Sequence, residues 1–146
     1  MGLRVLLVLT VLAVALAVGL LWRSRNGRFV AVRGAADSAE RLTGADLGAS
    51  LGAGATFVQL SSEACAPCRS TAVVLGALAG ERSGVAHVEI AAEGRMDLVR
   101  RFDVLRTPTV LVLDGAGVVR GRLSGATTRQ QALDALDALE RCPAGV

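Results

Sequence analysis

The sequence predicts an α/β domain, a mixed sheet covered by helices on both faces, held behind one N-terminal transmembrane helix. Three observations predict it. Residues 5–22, "VLLVLTVLAVALAVGLLW", are an uncharged apolar run of 18 residues. From Thr56 onward, β-favouring runs alternate with stretches of helical spacing in the order β-α-β-α-β-β-α. Cys65 and Cys68, two of the three cysteines, lie one turn apart where the first of those strands meets the first long helix.

The apolar run spans about 27 Å at helical rise, close to the thickness of a bilayer's hydrocarbon core. Trp22 followed by Arg23 reads as an interfacial stop. A cleaved signal peptide is the alternative, but the small-residue sites Ala13-Val14-Ala15 and Ala15-Leu16-Ala17 lie inside the run rather than after it. Arg23, Arg25, Arg28 and Arg33 follow the helix, whereas only Arg4 precedes it. The positive-inside rule therefore favours a cell-membrane protein, single-pass, with a cytoplasmic body, and an extracytoplasmic body is the alternative.

The same arginines account for the basic balance. The net charge of +3 combines five Arg and no acid up to Arg33 with 11 Arg against 13 Asp and Glu from Gly34 onward. A body that is mildly acidic and only 3% aromatic across the chain offers neither the basic face nor the stacking platform of a nucleic-acid binder. With 52% hydrophobic residues the chain is not disordered.

Residues 1–23 thus read as the anchor and 24–54 as a basic juxtamembrane segment and Gly/Ala-rich linker, with a short turn near Leu47 and Leu42, Leu47 and Leu51 able to dock on a neighbouring core. The domain follows over 55–141, then a tail, 142–146. "TFVQL" begins it as a strand. Ala66 to Arg82 reads as a helix with Val73, Val74 and Leu78 as a core stripe, stopped by Gly84. "VAHVEI" is the next strand and Gly94 to Phe102 a short helix. "TVLVL", the turn Asp114-Gly115-Ala116-Gly117 and "VVRGRL" form a hairpin. The last helix starts near Thr128, where Thr127-x-x-Gln130 and Thr128-x-x-Gln131 both fit a capping box, and Pro143 ends it.

At a helix start, Cys65 meets unpaired N–H groups and the positive end of the helix dipole, which favour its thiolate and make it the expected nucleophile. Cys68, behind it, is the expected resolving thiol, and the spacing allows a reducible disulfide. Pro67 suits an early helical position, where its missing N–H costs nothing. Zinc is the competing use, since Cys65, Cys68, His87 and Cys142 number a Cys3His set, but no second CxxC exists and the spacing fits no zinc finger or ribbon. Arg69 stands where a c-type haem site would need His. No metal and no cofactor is expected.

CxxC between a strand and a helix, followed by "RTPT" at Arg106–Thr109, resembles the thioredoxin family over Thr56 to Glu140. The resemblance implies a thioredoxin-like fold and thiol-disulfide oxidoreductase activity on protein thiols and disulfides by a monomer. It also implies a cis-proline at Pro108 acting beside the cysteines, and a substrate groove lined by Ala66, Pro67, Thr107, Thr109 and Gly125. "ACAPC" departs from the family's "WCGPC" at Ala64 and Ala66. Gln59 replaces the buried acid that serves the family as proton acceptor, and His87 its paired lysine, so Gln59 and His87 mark the expected proton path. A redox-inactive module that grips a partner peptide is the alternative to an enzyme. A third possibility is an outward-facing protein of cytochrome c maturation or another exported-thiol pathway.

Overall fold

The computed structural model describes residues 2–25, 29–31 and 40–141. Helix α1 (Gly2–Arg25) contains the apolar run. Its window Gly2–Leu21 has a mean hydropathy of 2.6, none of it is buried, and among the described residues it is the one helix long and apolar enough to cross a membrane. By length and composition it suits a membrane anchor and a signal sequence alike.

The domain is organised on a five-stranded sheet of order β1-β5-β4-β2-β3. Its strands are β1 (Phe29–Ala31), β2 (Ala55–Ser61), β3 (Val85–Ala91), β4 (Thr109–Asp114) and β5 (Val119–Ser124). Only β2 and β3 run parallel, the other neighbours pairing antiparallel. A parallel pair needs a crossover, and helix α3 (Ala66–Glu81) provides it. A tight turn closed by Gly117 N–H donating to the Asp114 carbonyl (2.9 Å) joins β4 to β5.

Both faces of the sheet are covered, as the alternation of elements requires. On one face Phe57, Val110, Val112 and Leu123 meet Leu75 and Leu78 of α3 and the small, close-packing Ala132 and Ala135 of α5 (Arg129–Arg141). On the other, Val58, Leu60, Leu111 and Leu113 meet Leu98 of α4 (Met96–Arg101), Phe102 and Leu42. A side chain of this size, fully buried, is worth about 1.5–3 kcal/mol, so these rows hold the layers together. Helix α5 is capped by Thr128 and Gln131, each side chain bonded to the other's backbone N–H. The Thr127 N–H instead donates to Thr71 Oγ1, 3.1 Å away on α3.

Two expectations are corrected. Val73 is 72% exposed and is not core, because α3 lies against the sheet by one face only and Thr71, Leu75 and Leu78 occupy it. The stretch 24–54 is also more than a linker. Phe29–Ala31 joins the sheet beside β5, and a Cβ at Gly121 would collide with the Phe29 ring that packs there. Leu42 docks on the core as expected, fully buried, its N–H donating to the Gly117 carbonyl at 2.9 Å. The turn near Leu47 is a capped helix, α2 (Gly44–Leu47), closed by Thr43 and Asp46.

Candidate active site

Strand β2 ends at Ser61 and α3 starts at Ala66, so the short connection delivers Cys65 to the N-cap of α3. Its Sγ accepts the Cys68 N–H at 3.1 Å, the place an Asp or Ser oxygen commonly takes at a helix start. Cys65 and Cys68 form a disulfide, Cα atoms 5.2 Å apart. Cys65 is 8% exposed against 2% for Cys68, which makes Cys65 the outer sulfur residue. Ala66 and Pro67 between them are exposed, Pro67 in the first turn.

A second loop comes to the same end of the sheet. Leu60, Thr109 and Ser124 are paired in one row across β2, β4 and β5, and the Thr107–Pro108 bond just before that row is cis. Ser62, in the connection to Cys65, hydrogen-bonds Thr107 through their hydroxyls at 2.9 Å. Gly125 N–H donates to the Pro108 carbonyl at 2.8 Å. Gly125 holds φ 91°, a backbone region side chains disfavour. Thr109 Oγ1 donates to the Arg106 carbonyl at 2.7 Å, fixing the turn into β4. Pro108 and Thr109 are buried and Thr107 half-buried.

Beneath the helix start lies a polar network. Gln59 is fully buried, and its Nε2 donates to the Cys68 carbonyl at 2.9 Å and to Ser61 Oγ at 2.8 Å. The same nitrogen reaches Glu89 Oε1 at 3.3 Å, and Ser61 Oγ donates to that oxygen at 2.6 Å. With the amide nitrogen so committed, Gln59 Oε1 is the acceptor for His87 Nε2–H at 3.2 Å. Burial pushes the His87 imidazole below its ordinary pKa, and the Glu89 carboxylate pulls weakly the other way. The sequence singled out Gln59 and His87 and missed Ser61 and Glu89. The available signal was alternation: Gln59 and Ser61 share a face of β2, and the parallel register sets Glu89 beside Gln59.

Among the described residues no three His, Cys, Asp or Glu side chains gather into a metal-sized group, His87 is bonded to Gln59, and Cys142 lies outside the described residues.

Solved structures resemble the domain. The thioredoxin of Fasciola hepatica superposes with a TM-score of 0.52 at 22% identity, over 60% of this chain and 82% of that one. Mitochondrial thioredoxin 3 of Saccharomyces cerevisiae, in its oxidised form, gives 0.52 at 19% identity, over 58% and 78%. The fold is thioredoxin-like. Neither a protein-family model nor a curated protein sequence matches the chain. What the thioredoxin-like fold adds to the residues is position: a CxxC-spaced disulfide at a helix N-terminus, beside a loop with a cis proline, an arrangement consistent with thiol-disulfide exchange.

Proposed function

We propose that the protein is a membrane-tethered thiol-disulfide oxidoreductase that reduces protein disulfides, with Cys65 as nucleophile and Cys68 as resolving thiol. The observation that carries this reading is the N-cap geometry of Cys65, whose sulfur receives the Cys68 N–H at 3.1 Å. That N–H and the dipole end of a 16-residue helix favour a thiolate at Cys65 once the pair is reduced. The Cys65 thiolate attacks one sulfur of a substrate disulfide, forming a mixed disulfide and expelling a substrate thiolate, which takes a proton from water. Cys68 then gives its proton to water and attacks Cys65 Sγ. The mixed disulfide breaks, the second substrate thiolate leaves, and two electrons have passed to the substrate, leaving the Cys65–Cys68 bond. Pro108 flanks the reacting sulfurs, and Ala66, Pro67, Thr107, Thr109 and Gly125 form the groove in which an extended substrate segment lies. The chain acts as a monomer, held by residues 5–22 in the membrane with its body on the cytoplasmic side.

In intact cells, Cys68→Ser should accumulate mixed disulfides with partner proteins, released by dithiothreitol, while Cys65→Ser traps none and Cys142→Ser behaves as wild type. A membrane-impermeant maleimide should label the Cys65 thiol of Cys68→Ser only after lysis. Absence of disulfide reductase turnover in the wild type would remove the enzyme reading in favour of a peptide-binding module, turnover by Cys65→Ser would remove Cys65 as the nucleophile, and labelling without lysis would place the body outside.

A further inference from the structure

We infer that the redox end of the domain faces the bilayer, so that its partners are integral membrane proteins presenting cysteines at the headgroup level; this rests on the membrane-tethered reading above. The argument comes from strand register. Leu60, Thr109 and Ser124 form the row from which the Cys65 connection, Pro108 and Gly125 emerge. Strand β1 is antiparallel to β5 and pairs Phe29 with Leu123, one residue from that row. The chain coming from α1 therefore enters the sheet at its redox end and runs away from it. Laterally, β1 lies two strands from β4, about 10 Å from the strand that follows Pro108.

The connection is short. Four peptide links join Arg25, the last residue of α1, to Phe29, and they reach at most about 14 Å. The apolar run ends at Trp22, three helical residues earlier, which adds about 4.5 Å. The redox row is thus held within roughly 20 Å of the edge of the hydrocarbon. Turning the domain over would set the length of β4, about 17 Å, between that row and the membrane. The connection would then have to run fully extended down the outside of β1.

The surface at this end suits a membrane boundary. Leu105, in the loop leading to Pro108, is 92% exposed; Arg106 is exposed on the same loop, Arg69 on the first turn of α3, and Glu63 on the connection to Cys65. An exposed leucine flanked by two arginines, with one carboxylate nearby, can lie at the headgroup level with its cations toward the phosphates.

The test uses the reduced full-length protein in phosphatidylcholine vesicles with two probes: a phosphatidylethanolamine bearing a pyridyl disulfide on its headgroup, and a short soluble peptide bearing the same group. Both probes release pyridine-2-thione on attack by Cys65. Inserting about 20 Gly/Ser residues after Gly27 frees the domain from the surface. The wild-type ratio of lipid-probe to soluble-probe rate should exceed that of the spacer variant by about tenfold, through effective concentration. Equal ratios would overturn the orientation and leave the redox reading intact. Inertness toward the soluble probe would remove the redox reading, and failure to stay with the vesicles would remove the anchor; either overturns the inference as well. A second measurement avoids the insertion: with all three native cysteines replaced by Ser, a fluorophore on Leu105→Cys should be quenched by headgroup nitroxide lipids more than one on Ala116→Cys in the opposite hairpin. The reverse order would overturn the inference.

Discussion

The two faces of β2 are equally inaccessible and built from unlike residues. All seven positions from Ala55 to Ser61 are buried. Val58 and Leu60 enter an apolar layer with Leu42, Leu98 and Leu111, and the one polar side chain on that face, Thr56, accepts the Gly52 N–H at 2.9 Å. On the opposite face Ala55 and Phe57 are apolar too, but Gln59 and Ser61 follow, and they are joined to the Cys68 carbonyl and to Glu89. A polar group in such a place costs free energy unless every donor and acceptor is matched, and no buried side-chain nitrogen or oxygen among the described residues lacks a partner. One face of the strand therefore serves packing and a local loop contact, while the last two positions of the other are matched to the disulfide.

Leu60→Ala should show the largest effect. Emptying a fully buried position beside Leu98 and Leu111 costs about 2–5 kcal/mol. In a domain of this size that lowers the melting temperature by about 10 °C or more, read by circular dichroism. Exchange rate per folded molecule should be unchanged. A variant that keeps its stability but loses exchange would mean that the apolar face, too, is tied to the disulfide.

Gln59→Leu should show a smaller loss of stability and a larger loss of function. It keeps the volume and removes the donors to Cys68, Ser61 and Glu89 and the acceptor for His87. Buried groups left unpaired cost about 1–3 kcal/mol. Gln59→Asp sharpens the contrast. It sets a second carboxyl beside Glu89, and two carboxyls so close cannot both ionise freely. The new group then titrates nearer neutrality and can take the Cys68 proton, so dithiol oxidation followed by stopped flow near pH 7 should be faster than in wild type, and in Gln59→Leu slower. Equal rates in all three would detach the network from the chemistry.

Legibility in the sequence followed the same division. Strands, crossover helix and hairpin could be read because each has its own period, and the cysteine pair because a helix start gives that spacing a meaning. Leu42, Leu47 and Leu51 could be read as leucines able to dock, and they do pack on the core, but β1 could not: three residues after a basic run carry too little alternation to mark an edge strand. Val73 was misplaced because α3 is apolar nearly all round ("AVVLGALAG"), so spacing alone does not say which valine turns inward. Glu89 was missed because its link to Gln59 exists only once the parallel register is known.

The smallest effect should come from His87, and it tests whether the polar half of the comparison is visible in stability at all. The imidazole is half-buried, its Nε2–H committed to Gln59 Oε1, and its Nδ1 turned toward α3, where a Cβ on Gly76 would lie 3.9 Å away. Burial lowers the pKa in the folded protein below the ordinary histidine value of 6.5, with Glu89 opposing. Between the lowered value and 6.5 the unfolded chain binds more protons than the folded one, so unfolding free energy rises with pH across that window. Stability is therefore full above 6.5 and is lost as pH falls through the folded pKa. His87 is the only histidine in the chain, and in the disulfide form Cys65 and Cys68 do not titrate. Urea unfolding of the oxidised protein between pH 7.5 and 5.5 should then show a shallow decline toward acid that His87→Gln, which keeps an N–H for Gln59, abolishes. An unchanged slope in His87→Gln would assign the decline to carboxylates instead, and a slope of opposite sign in wild type would mean that Glu89 outweighs burial and that the polar end of this face is wetter than its contacts imply.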